Sequence, residues 1–418
     1  MKNLYIGGVN VNELRETYGT PLYVIDEGLV RKTCQSFLNE FKHNDVQTEV
    51  IYASKAFLTK AMVKLIDEEG LSLDVVSGGE LYTAFKANYP MEKVYFHGNN
   101  KSKEELLLAI ELNVGTIIID NPYEFELLES LLIDKKVNVL LRINPGIEAH
   151  THEFIATTKN DSKFGLSIFD EATKSLIRLL HQSSKVNFLG FHSHIGSQIF
   201  EEQSFFEHVK AVLNYVKSLK DSEDITVKVI NLGGGFGVKY VDEDAPIVDA
   251  TFLSRLASYV GNYSDQLSIN TPKVCIEPGR AIVANAGITL YSVGTTKKTY
   301  GGKHYVFVDG SMADHIRTAL YDASYKAVLA NRMDEAHNLD FTVTGKACES
   351  GDIIVKHAKL PLPKENDLLA VLSTGAYHYS MASNYNRLLK PAVVFCQNGE
   401  SRLVVKRETY DDLLRNDL

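Results

Sequence analysis

From residue 47 onward, short apolar runs alternate with amphipathic segments of helical length, the pattern of repeated βα units and a parallel sheet. Eight runs stand out, at 48–53, 71–76, 93–97, 116–120, 137–143, 187–193, 226–231 and 273–277. Between them lie segments such as AFLTKAMVKLIDEEG, EELLLAIELN, PYEFELLESLLI, EATKSLIRLLHQ and FFEHVKAVLNYVKSL, with apolar residues every three or four positions. Eight strands, each followed by a crossover, predict an α/β chain folded as a (β/α)8 TIM barrel over 26–278. Beyond 279 the pattern changes to HYVFVDG, FTVTGKAC, DLLAVLST and PAVVFCQN, set between Gly, Pro, Asn and Asp, which suits an antiparallel β-domain. The early run PLYVIDE reads as a strand that joins that sheet. Residues 1–25 and 279–418 are therefore expected to form one β-domain that completes the active site.

Composition narrows the class. With 44% hydrophobic and 23% charged residues over 418 positions, the chain has the balance of a globular enzyme, and no apolar run reaches membrane-spanning length. The start, MKNLYIGGVNVNELRETYG, lacks a signal-peptide core, so a cytoplasmic protein is expected. Cys34, Cys275, Cys348 and Cys396 are far apart, which implies neither a disulfide framework nor a structural metal. A net charge of −9 without basic clusters argues against nucleic acid as a partner.

In a barrel the functional groups gather at the carboxyl ends of the strands, and here those ends are polar. They carry Ser54-Lys55, Ser77-Gly78-Gly79-Glu80, Gly98-Asn99-Asn100-Lys101, Asn121-Pro122, Asn144-Pro145-Gly146, His192-Ser193-His194-Ile195-Gly196-Ser197, Gly233-Gly234-Gly235 and Glu277-Pro278-Gly279-Arg280. Turn chemistry explains the Gly and Pro, but not the recurrence of Lys, His, Glu and Arg. The polar insertion at 147–165, with HTHEF and SKFG, reads as an active-site loop.

Lys55, in YASKA, is either a lysine snorkelling from a strand end or a Schiff-base nucleophile, its small neighbours Ser54 and Ala56 leaving room for a ring. The NLGGGFG glycines can turn backbone N–H groups toward an anion, with Ser197 adding a hydroxyl. The motif lacks both the P-loop lysine and dinucleotide spacing, so a phosphate on a compact cofactor fits best. Glu277 needs a cationic partner, either Arg280 or a protonated ring nitrogen. His194 is placed to lie against a ring, with His192 expected on the opposite side of the strand; that separation leaves the His-x-His pair a weak metal site, and no metal is expected. A lysine for a Schiff base, glycines for a phosphate and a carboxylate for a pyridinium together describe pyridoxal 5′-phosphate.

YASKA, DVVSGGEL, FHGNNK, SKFG, HSHIGSQI, NLGGGFG, EPGR, DHIRTALYDA, CESGD and STGAYHYSMASNYN run in order through nearly the whole chain. Together they resemble the diaminopimelate decarboxylases of the alanine-racemase-like, fold type III pyridoxal-phosphate family. The resemblance implies Lys55 as the cofactor-carrying lysine, His194 as the stacking residue, Ser197, Gly234 and Gly235 at the phosphate, and Glu277 on the ring nitrogen. It adds Pro278, Gly279, Arg280 and Tyr377 around the cofactor, and assigns Arg280, Arg317, Tyr321, Glu349 and Tyr377 to the substrate. It further implies a homodimer in which Cys348 and Glu349 come from the partner subunit, with Cys348 as the acid that returns a proton to Cα. The implied reaction is decarboxylation of meso-2,6-diaminopimelate at its D-centre to L-lysine and CO2, the last step of lysine biosynthesis.

The residues agree in part. Arg317 and Tyr321 lie four apart on a helical pattern and share a face, and a second guanidinium at Arg280 suits one carboxylate. The alternatives are a related decarboxylase acting on ornithine, arginine or carboxynorspermidine, a racemase, or a non-catalytic cofactor-binding protein. A racemase is disfavoured because such relatives place an arginine, not a carboxylate, on the ring nitrogen. A non-catalytic protein would be expected to have lost Lys55 or Cys348.

Overall fold

A computed structural model describes residues 2–147, 162–247 and 249–418. The HTHEF part of the expected active-site loop lies outside them. The chain divides into two compact units, one of residues 34–237 and 246–279, the other of 1–33, 238–245 and 280–418.

The first unit is the barrel. Its strands are β1 (Thr48–Ala53), β2 (Ser72–Val75), β3 (Val94–Phe96), β4 (Thr116–Ile119), β5 (Val137–Asn144), β6 (Val186–His192), β7 (Val229–Asn231) and β8 (Lys273–Ile276). Each pairs in parallel with the next, and β8 returns to β1 through Cys275 opposite Glu49. The crossover helices start on side-chain caps. Thr59, Ser77, Ser102 and Asn121 each accept a backbone N–H of the first turn, with Glu105 closing a capping box on Ser102 and Pro122 at the first helical position after Asn121.

Alternation along the strands stacks the barrel interior in layers. Ile51, Tyr95, Ile118, Leu140, Val229 and Cys275 form one apolar cluster. Near the strand starts, Glu49 accepts from Tyr95 (2.7 Å) and pairs with Lys273 and Ser72. Two residues beyond the apolar layer come His97, Asp120, Arg142, Asn231 and Glu277. The same period that builds the core thus delivers polar groups to the carboxyl rim.

The other unit is built on sheet. Strand Leu22–Asp26 lies between Gly287–Lys298, antiparallel, and Ala392–Gln397, parallel, so the N-terminal strand is taken into this unit. His304–Val308 also runs parallel to Leu339–Thr344, so the sheet is antiparallel-rich, as expected, with two parallel pairs among the described strands. A parallel neighbour needs a long return path; residues 309–338, with the helix Arg317–Tyr321, provide one. Segment 238–245 joins this unit because Tyr240 packs edge-on against Tyr325 and Asp242 pairs with Lys326.

One barrel ion pair is fully interior. Lys101 Nζ donates to Glu124 Oε1 (2.6 Å) and to the carbonyls of Gly98 (2.9 Å) and Ile118 (2.6 Å). Burial pulls the Lys101 pKa down and pushes that of Glu124 up, each opposed by the partner's charge. Removing one partner strands the other, at a cost of about 3–5 kcal/mol. Lys101→Met is therefore expected to lower the urea unfolding midpoint sharply, and Lys101→Met/Glu124→Leu to recover much of it; a single variant that unfolds with the wild type contradicts this.

Candidate active site

The short turn Ser54–Ala56 follows β1 directly and holds Lys55 exposed at the rim. Its small neighbours Ser54 and Ala56 also make close structural contacts. Ser54 Oγ donates to Glu80 Oε2 (2.8 Å), and that carboxylate also accepts the Val76 N–H (2.8 Å). Gly279 presses on the same turn, where a Cβ would sit 2.9 Å from the Cβ of Ala53 and 3.2 Å from that of Ala56. The carbonyl of Pro278 accepts the Ala53 N–H (3.2 Å). Gly279 and Pro278 therefore lock the β8 end onto the lysine turn.

Glu277 lies at the centre of the rim, buried with three donors around it. Its Oε1 meets His97 Nε2 (2.8 Å) and Asn231 Nδ2 (2.7 Å), and its Oε2 meets His192 Nε2 (3.1 Å). Of its two expected partners, Arg280 is engaged elsewhere, on Tyr240. His192 ends β6 and points to the interior, its ring edge-on to His97 at 4.6 Å, whereas His194 lies beyond the strand, where alternation does not set its side. His97, His192 and Glu277 offer ligand-type atoms within 4.8 Å of one another. Their separations are hydrogen-bond lengths and an amide donor shares the carboxylate, so the cluster is hydrogen-bonded.

Electrostatics follow from depth. Burial pushes the Glu277 pKa up, but its hydrogen-bonded contacts with His97 and His192 outweigh it and hold the group well below the usual carboxylate range. His192 is itself driven down to about 3, by burial first and against the pull of Glu277. Near neutrality His192 is therefore a neutral donor, and hydrogen bonds, not a charged His192, keep Glu277 ionised. Asp74 beside them is raised to about 7 by burial, with His97 and Lys55 pulling it down and Glu277 pushing it up.

The glycine loop follows β7. A Cβ at Gly233 would meet the Ser193 carbonyl at 2.8 Å, at Gly234 the Glu277 carbonyl at 2.3 Å, and at Gly235 the Gly196 carbonyl at 2.6 Å. Only bare backbone fits there, and Gly233 and Gly235 also have positive φ. The Gly234 N–H donates to His194 Nδ1 (3.3 Å). Burial, then Lys55 and Arg142, holds the His194 pKa well below its ordinary value, so this imidazole is neutral and able to accept. The loop bearing Ser197 is joined to the glycine loop by the parallel bridge Ile199 to Phe236. At the described end of the insertion, Gly165 donates to Asp120 (3.2 Å) and Arg142 lies over the ring of Phe164 (4.4 Å).

In the sheet unit a second constellation forms. The guanidinium carbons of Arg280 and Arg317 lie 4.7 and 5.1 Å from the ring centre of Tyr377. Arg280 donates to Tyr240 Oη (2.6 Å) and Arg317 to Tyr325 Oη (3.0 Å), while Arg317 also covers Tyr321 at 4.9 Å. Tyr377 adopts φ 64°, a left-handed conformation rare for an aromatic residue and typical of strained functional positions. Cys348 and Glu349 are on an exposed turn of the same unit. The Cys348 N–H donates to Asn386 Oδ1 (2.7 Å), and Glu349 accepts from Ser350, Gly351 and Tyr385.

The sequence reading thus brings together Lys55, His194, the glycines and Glu277 in one unit, and Arg280, Arg317, Tyr321 and Tyr377 in the other. It missed His97, Asn231 and Asp74. The available signal was the inward register, since His97 and Asn231 lie two residues beyond Tyr95 and Val229 of the apolar layer.

Residues 27–284 match the model of the pyridoxal-dependent decarboxylase pyridoxal binding domain. The chain is 49% identical to the diaminopimelate decarboxylase of Bacillus subtilis (strain 168), over 100% of this chain and 95% of that protein. It is 47% identical to that of Staphylococcus aureus (strain COL), over 99% and 97%. The crystal structure of diaminopimelate decarboxylase from M. jannaschii superimposes with a TM-score of 0.93 at 33% identity, covering 100% of this chain and 96% of that one, and its co-complex with L-lysine gives the same values. By the domain match and by identity over the full length, the chain belongs to the diaminopimelate decarboxylase family of pyridoxal-dependent decarboxylases.

Proposed function

We propose that this chain decarboxylates meso-2,6-diaminopimelate to L-lysine and CO2, the last step of lysine biosynthesis, as a cytoplasmic homodimer whose subunits share active-site residues. The substrate choice is carried by one observation, the stacking of Arg280 and Arg317 on the single ring of Tyr377. Two guanidiniums suit a substrate with a second carboxylate; ornithine brings none.

The barrel residues fit pyridoxal 5′-phosphate. The cradle at Gly234 and Gly235 admits no side chain, which favours a phosphate held by backbone N–H groups, with Ser197 adding a hydroxyl. When bound, the cofactor supplies an electron sink for the pair released from the Cα–CO2 bond. Lys55 would offer the amine that carries it, His194 would lie against its ring, and Glu277 would hold a proton on the ring nitrogen. Pro278 and Gly279 hold the Lys55 turn in place. In the sheet unit Arg280, Arg317, Tyr321 and Tyr377 would bind the substrate's distal carboxylate, and Glu349 its distal ammonium. Cys348 Sγ would return a proton to Cα, and its exposure together with that of Glu349 suits presentation to the partner subunit.

Purified protein with pyridoxal phosphate and meso-diaminopimelate is expected to release CO2 and L-lysine in equal amounts; faster CO2 release from ornithine overturns the substrate choice. Lys55→Ala is expected to lower turnover by about three orders of magnitude or more, as losses of a covalent nucleophile do; normal turnover would remove Lys55 from the mechanism. Arg317→Met is expected to lower kcat/KM for diaminopimelate by about 10- to 100-fold, the worth of one charge-assisted hydrogen bond. Mixing inactive Lys55→Ala and Cys348→Ala protomers is expected to restore part of the activity; no recovery after proven subunit exchange counts against a shared site.

A further inference from the structure

We infer that His97, His192 and Asn231 form one positioning set that occupies three of the four acceptor directions of Glu277 and leaves the fourth, on Oε2, for the protonated ring nitrogen of the cofactor. The inference rests on the reading of the barrel rim as a pyridoxal-phosphate site. An ionised carboxylate has about four lone-pair directions. Oε1 takes two donors, from His97 (2.8 Å) and Asn231 (2.7 Å), and Oε2 takes one, from His192 (3.1 Å).

The donor sense is fixed by the surroundings. Asn231 Oδ1 accepts the Gly233 N–H (2.9 Å), so its Nδ2 must face Glu277. His192 Nδ1 is buried with no hydrogen-bond partner, so the Nε2–H tautomer leaves only a bare lone pair inside. The other tautomer would bury an unpaired N–H and set a nitrogen lone pair against the carboxylate, the costlier arrangement. Asn231 also ties the glycine loop to Glu277, since the same amide holds the loop by its oxygen and Glu277 by its nitrogen.

Other ionisable groups face this cluster. Asp74 Oδ1 is 3.9 Å from His97 Nε2, and Arg142, His194 and Cys275 interact electrostatically with Glu277. None of these three donates to it among the described residues. The three donors make Glu277 a weak base in a fixed rotamer, so a shared proton stays on the nitrogen. With a donor removed, the carboxylate becomes more basic and free to turn, and the ring loses cationic character.

The test uses enzyme loaded with pyridoxal phosphate carrying 15N in the ring, read by NMR, together with steady-state kinetics. Wild type is expected to show a protonated ring nitrogen. His192→Leu, which removes the donor, is expected to move the signal toward the unprotonated position and lower kcat about 10- to 100-fold, with KM little changed. His192→Gln, which restores an N–H, is expected to recover most of both. If His192→Leu does not fold, the pair His97→Leu and His97→Gln reads the same effect at Oε1. Donor-free variants that keep the protonated signal and the wild-type kcat overturn the inference while leaving the cofactor site standing. Wild-type protein that takes up no cofactor overturns the parent reading and this one with it.

Discussion

The carboxylate of Glu277 is the constraint on which the barrel rim depends. A charge buried at this depth is tolerable only if fully solvated by fixed donors. Those donors come from the ends of three strands, His97 after β3, His192 on β6 and Asn231 on β7. They converge only if every strand keeps its register, because a slip of one residue turns the inward set outward. The pairing of Cys275 with Glu49, and of Asn231 with His192 and Cys275, therefore fixes more than the core. One alternation carries both the apolar layer at Ile51, Tyr95, Ile118, Leu140, Val229 and Cys275 and the charged layer above it.

The sheet unit solves a different problem with different material. It holds two guanidiniums against one aromatic ring. Aromatic faces and phenol oxygens do this work, with Tyr377 stacked by both and Tyr240 and Tyr325 each accepting one hydrogen bond. Cation–π contact lowers the cost of burying the charge yet leaves guanidinium N–H groups to recognise an anion.

Much of this was legible in the sequence. The eight strands were readable because their apolar runs are bounded by turn residues, and observed strands such as Ser72–Val75 and Val94–Phe96 fall inside the expected runs. Lys55 and the glycines were readable because their chemistry is local to one turn. The partners of Glu277 were not, since they lie 180, 85 and 46 residues away and only closure of the barrel brings them in. Arg280, three residues on, was the obvious local candidate, and its guanidinium is instead taken up by tyrosines. The parallel pairs in the sheet unit escaped for a similar reason: short runs between turn residues report strand identity, whereas direction is decided by the length of the return path.

The same geometry sets the surroundings of the exposed Lys55. An amine held in a tight ion pair stays protonated and unreactive. Of the two acids nearest Lys55 in electrostatic terms, Glu80 is occupied by Ser54 Oγ and the Val76 N–H. Asp74, raised to about 7 by its burial and by Glu277 and Glu80, is only partly ionised near neutrality. Among the described residues Lys55 accordingly makes no ion pair. Burial first, and the charges of Glu277 and Glu80 after it, hold Asp74 back from full ionisation beside the lysine turn.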